Sequence, residues 1–296
     1  MTAKVDRFAR LDDGQVTEIE ALADRLTELD GVAPLSDHAR LRLAGSNAVS
    51  HLLVRRSGSL TGYAQVEVAA EGAVAPGTTT ELAALDPETV GLLVDAAGHG
   101  APAPLRIWGH GERSTASRAL AALGLSIDRV LLQMRRSLVK PLDEPEWPDG
   151  VTVRTFVVGQ DEQAWVDVNN AAFADHREQS RWTVADVVER ERKPWFDPAG
   201  LFLAEQDGEV VGFHWTKVHD ELPGQEPIGE VYVVGVSPKM QGKRLGLALT
   251  LLGLRHLKDK GIATGMLYVD EPNAAAIRLY ERIGFTRWDA DTQFRR

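Results

Sequence analysis

At 296 residues the chain is long enough for two domains of ordinary size, and 44% hydrophobic with 26% charged residues is the balance of a soluble globular protein. A net charge of −10 argues against a nucleic-acid partner, since neutralising phosphates needs a basic face, and the lack of cysteine excludes disulfides, a cysteine nucleophile and thiolate metal sites. The opening MTAKVDRFARLDDGQ has no apolar h-region and no run reaches the about 18 residues of a membrane helix, so a cytoplasmic protein is expected, with no metal and no membrane partner.

Apolar positions at Ile19, Leu22, Leu26 and Leu29 predict a helix over residues 15–29, ended by Asp30-Gly31, and a second helix is expected from Ser36 or Asp37, either of which suits its cap. Residues 51–55 and 61–68 read as strands joined at Ser57-Gly58, and residues 79–85 as a third. Residues 87–97 are expected to be helical, 105–108 a strand, 114–123 a helix and 130–136 a closing strand. The stretch KPLDEPEWPDG, with its three prolines, reads as an extended linker. The expected organisation is therefore one domain over 1–140, a linker over 141–150 and a second domain over 151–296. In the second domain a strand over 151–156 precedes helices over 163–173 and from Thr183, with polar residues 174–181 between them. Strands over 201–205 and 210–218 pair across Asp207-Gly208, a hairpin signal. The next strand, residues 231–236, is apolar and β-branched, the composition of a strand buried on both faces, and Pro238 stops its ladder. A helix then runs to about Leu257, followed by a strand over 266–269, a helix over 273–283 and a turn at Gly284.

The halves are related. Gly62-Tyr63 matches Gly212-Phe213 at a shift of 150, Glu81 matches Glu230 at 149, and Arg118, Gly124 and QMRR match Arg278, Gly284 and QFRR at 160. This reads as a tandem duplication. Opposite the glycine-rich stretch of the second half, the first half has only ETVGLLVD at residues 88–95, without a second glycine or a basic residue, and Leu120 stands opposite Tyr280. The chemistry is expected in the second copy.

That stretch, residues 229–247 (GEVYVVGVSPKMQGKRLGL), is a strand feeding a glycine-rich turn at a helix N-terminus, which is a phosphate cradle: successive N–H groups converge and the helix dipole favours negative charge. It is not a nucleotide P-loop, because Arg244 stands where the metal-binding hydroxyl belongs, and no G-x-G-x-x-G is present. The string V-x-P-x-x-Q-G-x-x-L-G instead resembles the acyl-CoA diphosphate loop of the GNAT superfamily of N-acetyltransferases, and NAAAIRLYERIGF at residues 273–285 resembles the closing helix of that superfamily. The resemblance implies an α/β (α+β) fold of two tandem GNAT-type domains, each a mixed, mostly antiparallel sheet flanked by helices, with acetyl-CoA as co-substrate.

Acetyl transfer to an amine needs a grip on CoA, a base for the ammonium, donors for the oxyanion and an acid for the departing thiolate. Gln241, Gly242, Lys243, Arg244, Leu245, Gly246 and Leu247 are expected to grip the diphosphate, and Val234, Gly235 and Val236 to line the pantetheine and supply an oxyanion N–H. Glu230 is the expected base, unless it is only a strand-end acid. Tyr280, two helical turns from Asn273 on one face, is the expected acid, unless it only fills the core. Further segments (DGVAP, VNNAAFA, WFDP, GFHWTKVH and GEVYVVGV) resemble the mycothiol synthase family over nearly the whole chain. This implies acetylation of the cysteinyl amine of cysteinyl-glucosaminyl-inositol, with substrate contacts at Asp37, Glu178, Lys217, Glu230 and Tyr268, drawn from both halves. It also implies acetyl-CoA contacts at Asn273, Ala274, Ala275, Ala276, Ile277 and Arg278, and a second acetyl-CoA site in the first copy at Leu82, Ala83 and Ala84. Tyr268 reads equally as core packing, and Asp37 as a helix cap. The expected partner is a small-molecule amine and the expected state a monomer. The alternatives are a GNAT enzyme for another amine, an aminoglycoside or peptide N-terminus, and a non-catalytic acyl-CoA sensor.

Overall fold

The computed structural model describes residues 4–43, 49–69, 75–174, 176, 181–219 and 226–296. One order of elements occurs twice. The first pass is β1 (Lys4–Phe8), α1 (Asp13–Asp30), α2 (Asp37–Leu41), β2 (Val49–Arg56), β3 (Ser59–Val68), β4 (Thr78–Ala84), α3 (Pro87–Gly98), β5 (Leu105–Gly109), α4 (Thr115–Ala122) and β6 (Ser126–Ser137). The second is β7 (Thr152–Thr155), α5 (Glu162–Ala172), α6 (Val184–Glu191), β8 (Leu201–Gln206), β9 (Glu209–His219), β10 (Ile228–Val236), α7 (Leu245–Asp259), β11 (Thr264–Asp270), α8 (Ala274–Arg282) and β12 (Thr286–Arg295). The expected elements are all present, and two strands were not foreseen: β1, three of whose five residues are charged, and β12 after the turn at Gly284.

The contacts divide the chain into Met1–Leu132 with Asp289–Arg296, and Gln133–Trp288. This departs from the expected cut at 141–150, because the closing strands change partners. Residues 292–295 of β12 pair antiparallel with β5, and β6 neighbours β11. In the first unit the strand order is β1-β2-β3-β4-β5-β12; in the second it is β6-β11-β10-β9-β8-β7. The β4–β5 and β10–β11 pairs are parallel, and the hairpin-connected strands antiparallel. Each parallel pair needs a crossover, which α3 and α7 supply. Residues 141–150 form no helix or strand and lie within the second unit, where Trp147 packs against the α7 core.

Alternation along the strands builds a core on each face of each sheet. In the first unit Leu52, Ala64 and Leu82 pack beneath α3, while Leu53, Tyr63 and Ala83 pack beneath α1. In the second, Phe213, Trp215 and Val233 pack with Trp165 of α5, and Val211 packs with Leu245 and Leu249 of α7. β10 is less enclosed than its composition suggests: Tyr232, Val234 and Val236 are only half buried.

In the first unit the C-terminal strand is held by a buried ionic cluster. His110 Nδ1 lies 2.9 Å from Asp291 Oδ2, and its Nε2 lies 3.3 Å from Glu81 Oε2. Glu81 also accepts from the backbone and hydroxyl of Ser36, and Asp291 from the Gly111 N–H. Burial alone would lower the His110 pKa, but Asp291 and Glu81 outweigh it and raise the imidazole to about 10. In the second unit the His214 ring fills the space left by Gly253 on α7, where a Cβ would approach it to 2.1 Å. Its Nδ1 donates to the Leu249 carbonyl at 2.6 Å, and full burial pushes its pKa down to about 4.

These two histidines set opposite limbs of a stability profile. His214 folds neutral, so its contribution is complete above its unfolded pKa near 6.5 and is lost as pH falls through about 4, a difference of about 3 kcal/mol. Denaturant melts from pH 7 to 4 are expected to show this loss, and His214→Leu to flatten it. His110 folds charged, so its contribution is complete below about 6.5 and declines as pH rises toward 10. Asp291→Ala leaves a buried imidazolium without its main partner and is expected to cost about 3 kcal/mol or more at pH 7 in the same melts.

Candidate functional site

The site begins with an irregularity in β10. Thr216 pairs with Val231 and Trp215 with Val233, so Tyr232 is an extra residue, a β-bulge. On the other side, the parallel ladder to β11 covers Ile228, Glu230 and the glycine between them, opposite Thr264, Gly265 and Met266. Among the described residues no pairing joins the two strands beyond that, although β10 runs on to Val236 and β11 to Asp270. The strands diverge at Glu230, leaving one edge of Val234, Gly235 and Val236 without a neighbouring strand. Above this opening Phe173, at the end of α5, lies 3.3 Å from where a Gly235 Cβ would stand, and His176 lies 3.4 Å from Asp270.

Residues 237–244 then join β10 to α7. Gln241, Gly242, Lys243 and Arg244 are exposed, and Gly242 (φ +79°) and Arg244 (φ +63°) take left-handed conformations that re-aim the backbone. Arg244 is the N-cap of α7, and no side chain caps the helix. Its first N–H groups are therefore available to an outside acceptor, beside the half-buried Gly246 and Leu247 and the buried Leu245.

The first unit is built differently at the same place. Only Leu85 and Asp86 join β4 to α3, and residues 88–95, which stand opposite the glycine-rich stretch, lie within the helix, as the expected helix over 87–97 requires. Asp86 caps α3, accepting from the Thr89 N–H at 2.9 Å, so a carboxylate already occupies the anion position. β4 pairs with β3 over seven consecutive residues without a bulge. The register sets Leu82, Ala83 and Ala84 opposite Ala64, Tyr63 and Gly62, as Val234, Gly235 and Val236 stand opposite His214, Phe213 and Gly212. By this register Glu81 corresponds to Val233 and Thr79 to Glu230, which corrects the match of Glu81 with Glu230. Leu82, Ala83 and Ala84 are fully buried, and the cavity that Leu82 and Ala84 border is about 10 Å³, room for one water.

The remaining expected residues fall as follows. Glu230 is buried to 9% side-chain exposure on the α5 face of the sheet, opposite Lys217, and its Oε2 lies 2.6 Å from His219 Nε2. The Lys217 ammonium lies over the rings of Trp195, at 4.9 Å, and Tyr232, at 5.8 Å. Tyr268, on β11, accepts a hydrogen bond from Gln133 Nε2 at 2.6 Å. Asp37 is the first residue of α2, which Ser36 caps, so the cap role falls to Ser36. Glu178 lies outside the described residues. Asn273 caps α8, its side chain accepting from Ala276 N–H, and it is exposed together with Ala274, Ala275 and Arg278, while Ala276 and Ile277 are half buried. Asn273 stands at the exposed cap, and Tyr280, seven residues on, is buried. Tyr280 is packed edge-on against Phe285, and burial pushes its phenol up to about 12, above the ordinary value near 10. No other side chain among the described residues bonds its hydroxyl. Sequence reasoning missed His219 as a partner of Glu230, although the alternation of GFHWTKVH puts Lys217 and His219 on one face.

The Acetyltransferase (GNAT) family model matches residues 165–285, which contain the bulged strand and the open loop. The chain is 50% identical to the mycothiol acetyltransferase of Thermomonospora curvata, with 96% of this chain and 94% of that one covered. It is 46% identical to that of Thermobispora bispora, with both chains covered completely. Among solved structures, a tandem GNAT protein from the clavulanic acid biosynthesis pathway superposes with a TM-score of 0.72 at 16% identity, covering 100% of this chain and 98% of that one. A GCN5-related N-acetyltransferase from Sphaerobacter thermophilus gives 0.67 at 24% identity, covering 99% and 95%. The fold is thus the tandem GNAT fold, and by near-full-length identity the chain belongs to the mycothiol acetyltransferase family.

Proposed function

We propose that the chain transfers the acetyl group of acetyl-CoA to the cysteinyl amine of cysteinyl-glucosaminyl-inositol, in the second unit. The observation that carries this reading is the uncapped N-terminus of α7 beside the open edge of β10, set against the Asp86-capped helix of the first unit. The N–H groups of Gly242, Arg244, Leu245 and Gly246 suit the CoA diphosphate, with Asn273, Ala274, Ala275, Ala276, Ile277 and Arg278 along its adenosine side. Those of Gln241, Lys243 and Leu247 are given to backbone carbonyls that shape the turn. The unpaired edge of Val234, Gly235 and Val236 suits the pantetheine amides as an added strand would, and one N–H there suits the thioester oxyanion, an interaction of about 3 kcal/mol in other acyl-transfer sites.

Glu230 takes a proton from the α-ammonium, whose pKa near 7.7–8.0 makes the transfer undemanding. The free amine attacks the thioester carbon, and the tetrahedral oxyanion collapses as the C–S bond breaks. The leaving thiolate takes the proton of Tyr280, which its raised pKa keeps on the phenol at neutral pH. The second proton, shed by the nitrogen as it becomes an amide, returns to the Tyr280 oxygen after the phenol has protonated the thiolate. The aromatic-lined Lys217, with Glu178 and Tyr268, is assigned to the sugar–inositol headgroup. The absence of a membrane-length apolar helix among the described residues agrees with a cytoplasmic site of action, and the chain is assigned as a monomer. The first unit, with its closed cavity, is assigned no catalytic part.

Tyr280→Phe is expected to lower kcat by about tenfold to a hundredfold while acetyl-CoA affinity, followed by calorimetry, stays within a factor of two. Turnover compared across amines checks the acceptor. The cysteinyl pseudo-disaccharide is expected to exceed aminoglycosides and peptide N-termini in kcat/KM, and equal rates on an aminoglycoside would overturn the assignment.

A further inference from the structure

Glu230 has two polar neighbours on its own face of the sheet, and they compete for it. Lys217 stands directly across the ladder on β9, where a cross-strand ion pair with the carboxylate would be the ordinary arrangement. Instead that ammonium lies over the Trp195 and Tyr232 rings, and the carboxylate turns to His219 at the end of β9. A carboxylate only accepts hydrogen bonds, so the imidazole donates from Nε2, at 2.6 Å, to Oε2. Glutamate has three rotatable side-chain bonds, and Glu230 is the last residue of β10 paired with β11, so the ladder does not continue past it on that side. One strong donor on one oxygen fixes the rotamer and leaves Oε1 for the ammonium. The imidazole is 35% exposed and the carboxylate 9%, so the histidine closes the carboxylate off from the solvent side.

We propose that His219 is a positioning residue for the reaction: it holds Glu230 by Oε2, keeps it from Lys217, and aims Oε1 at the acceptor amine. This rests on the assignment of Glu230 as base to the cysteinyl amine. Its test is steady-state kinetics with acetyl-CoA and cysteinyl-glucosaminyl-inositol, read by CoA release, on wild type, Glu230→Gln, His219→Ala and His219→Gln. His219→Ala is expected to lower kcat about tenfold or more, with the KM for acetyl-CoA and the thermal midpoint close to wild type. His219→Gln, whose amide N–H can still donate, is expected to recover most of that loss. A kcat for His219→Ala equal to wild type, or a loss that glutamine does not recover, overturns the role. Should His219→Ala fail to fold, His219→Phe keeps a ring without the donor and takes its place in the comparison. Full activity in Glu230→Gln instead removes the base assignment, and a wild-type enzyme inert toward this amine removes the substrate assignment; the histidine's role falls in either case, for a different recorded reason.

Discussion

Two neighbouring parallel strands that cease to hydrogen-bond after Glu230 determine what the second unit can do. A sheet normally satisfies every backbone group by pairing, and an unpaired edge inside a fold is costly unless another partner takes it. Here the extra residue Tyr232 bends β10 away from β11, and the N–H and C=O groups of Val234 and Val236, which point away from β9 on either side of Gly235, become a template for an amide-bearing chain. Pantetheine is such a chain. The same divergence sets Glu230 at its apex, with the open α7 terminus one loop away, so the places proposed for the diphosphate, the acyl arm and the base all trace to one local departure from regular pairing.

The first unit shows the same fold with that departure undone. Its fourth strand pairs without a bulge, its loop is reduced to Leu85 and Asp86, and the Asp86 carboxylate sits where a phosphate would. Capping a helix with one's own acid stabilises it by about 1 kcal/mol and competes with any external anion. Its interior carries a paired His110 between Glu81 and Asp291, a buried ionic cluster whose visible effect is to anchor the C-terminal strand. One copy thus uses its polar residues for stability and the other leaves them exposed to a ligand.

The two cores meet the burial of polar groups in different ways. His110 is charged and needs both of its carboxylates; His214 is neutral and needs only the Leu249 carbonyl and the absence of a side chain at Gly253. Lys217 is a third case, a buried cation whose ammonium lies over two aromatic faces.

Much of this was legible along the chain. Hydrophobic period, caps and turn dipeptides located the elements from α1 to α8 closely, because those signals are local. The glycine-rich stretch after β10 was recognisable because left-handed turns and helix starts demand particular residues, and the Asp86-Pro87 cap pattern could have been read in the same way. What no local pattern carries is the choice of neighbour. That β12 pairs with β5 while β6 lies beside β11, that β10 leaves β11 after Glu230, and that Glu230 turns to His219 and not to Lys217, each depends on which distant segment wins a backbone or carboxylate partner. Periodicity states which side of a strand a residue faces; only the assembled sheet decides what it meets there.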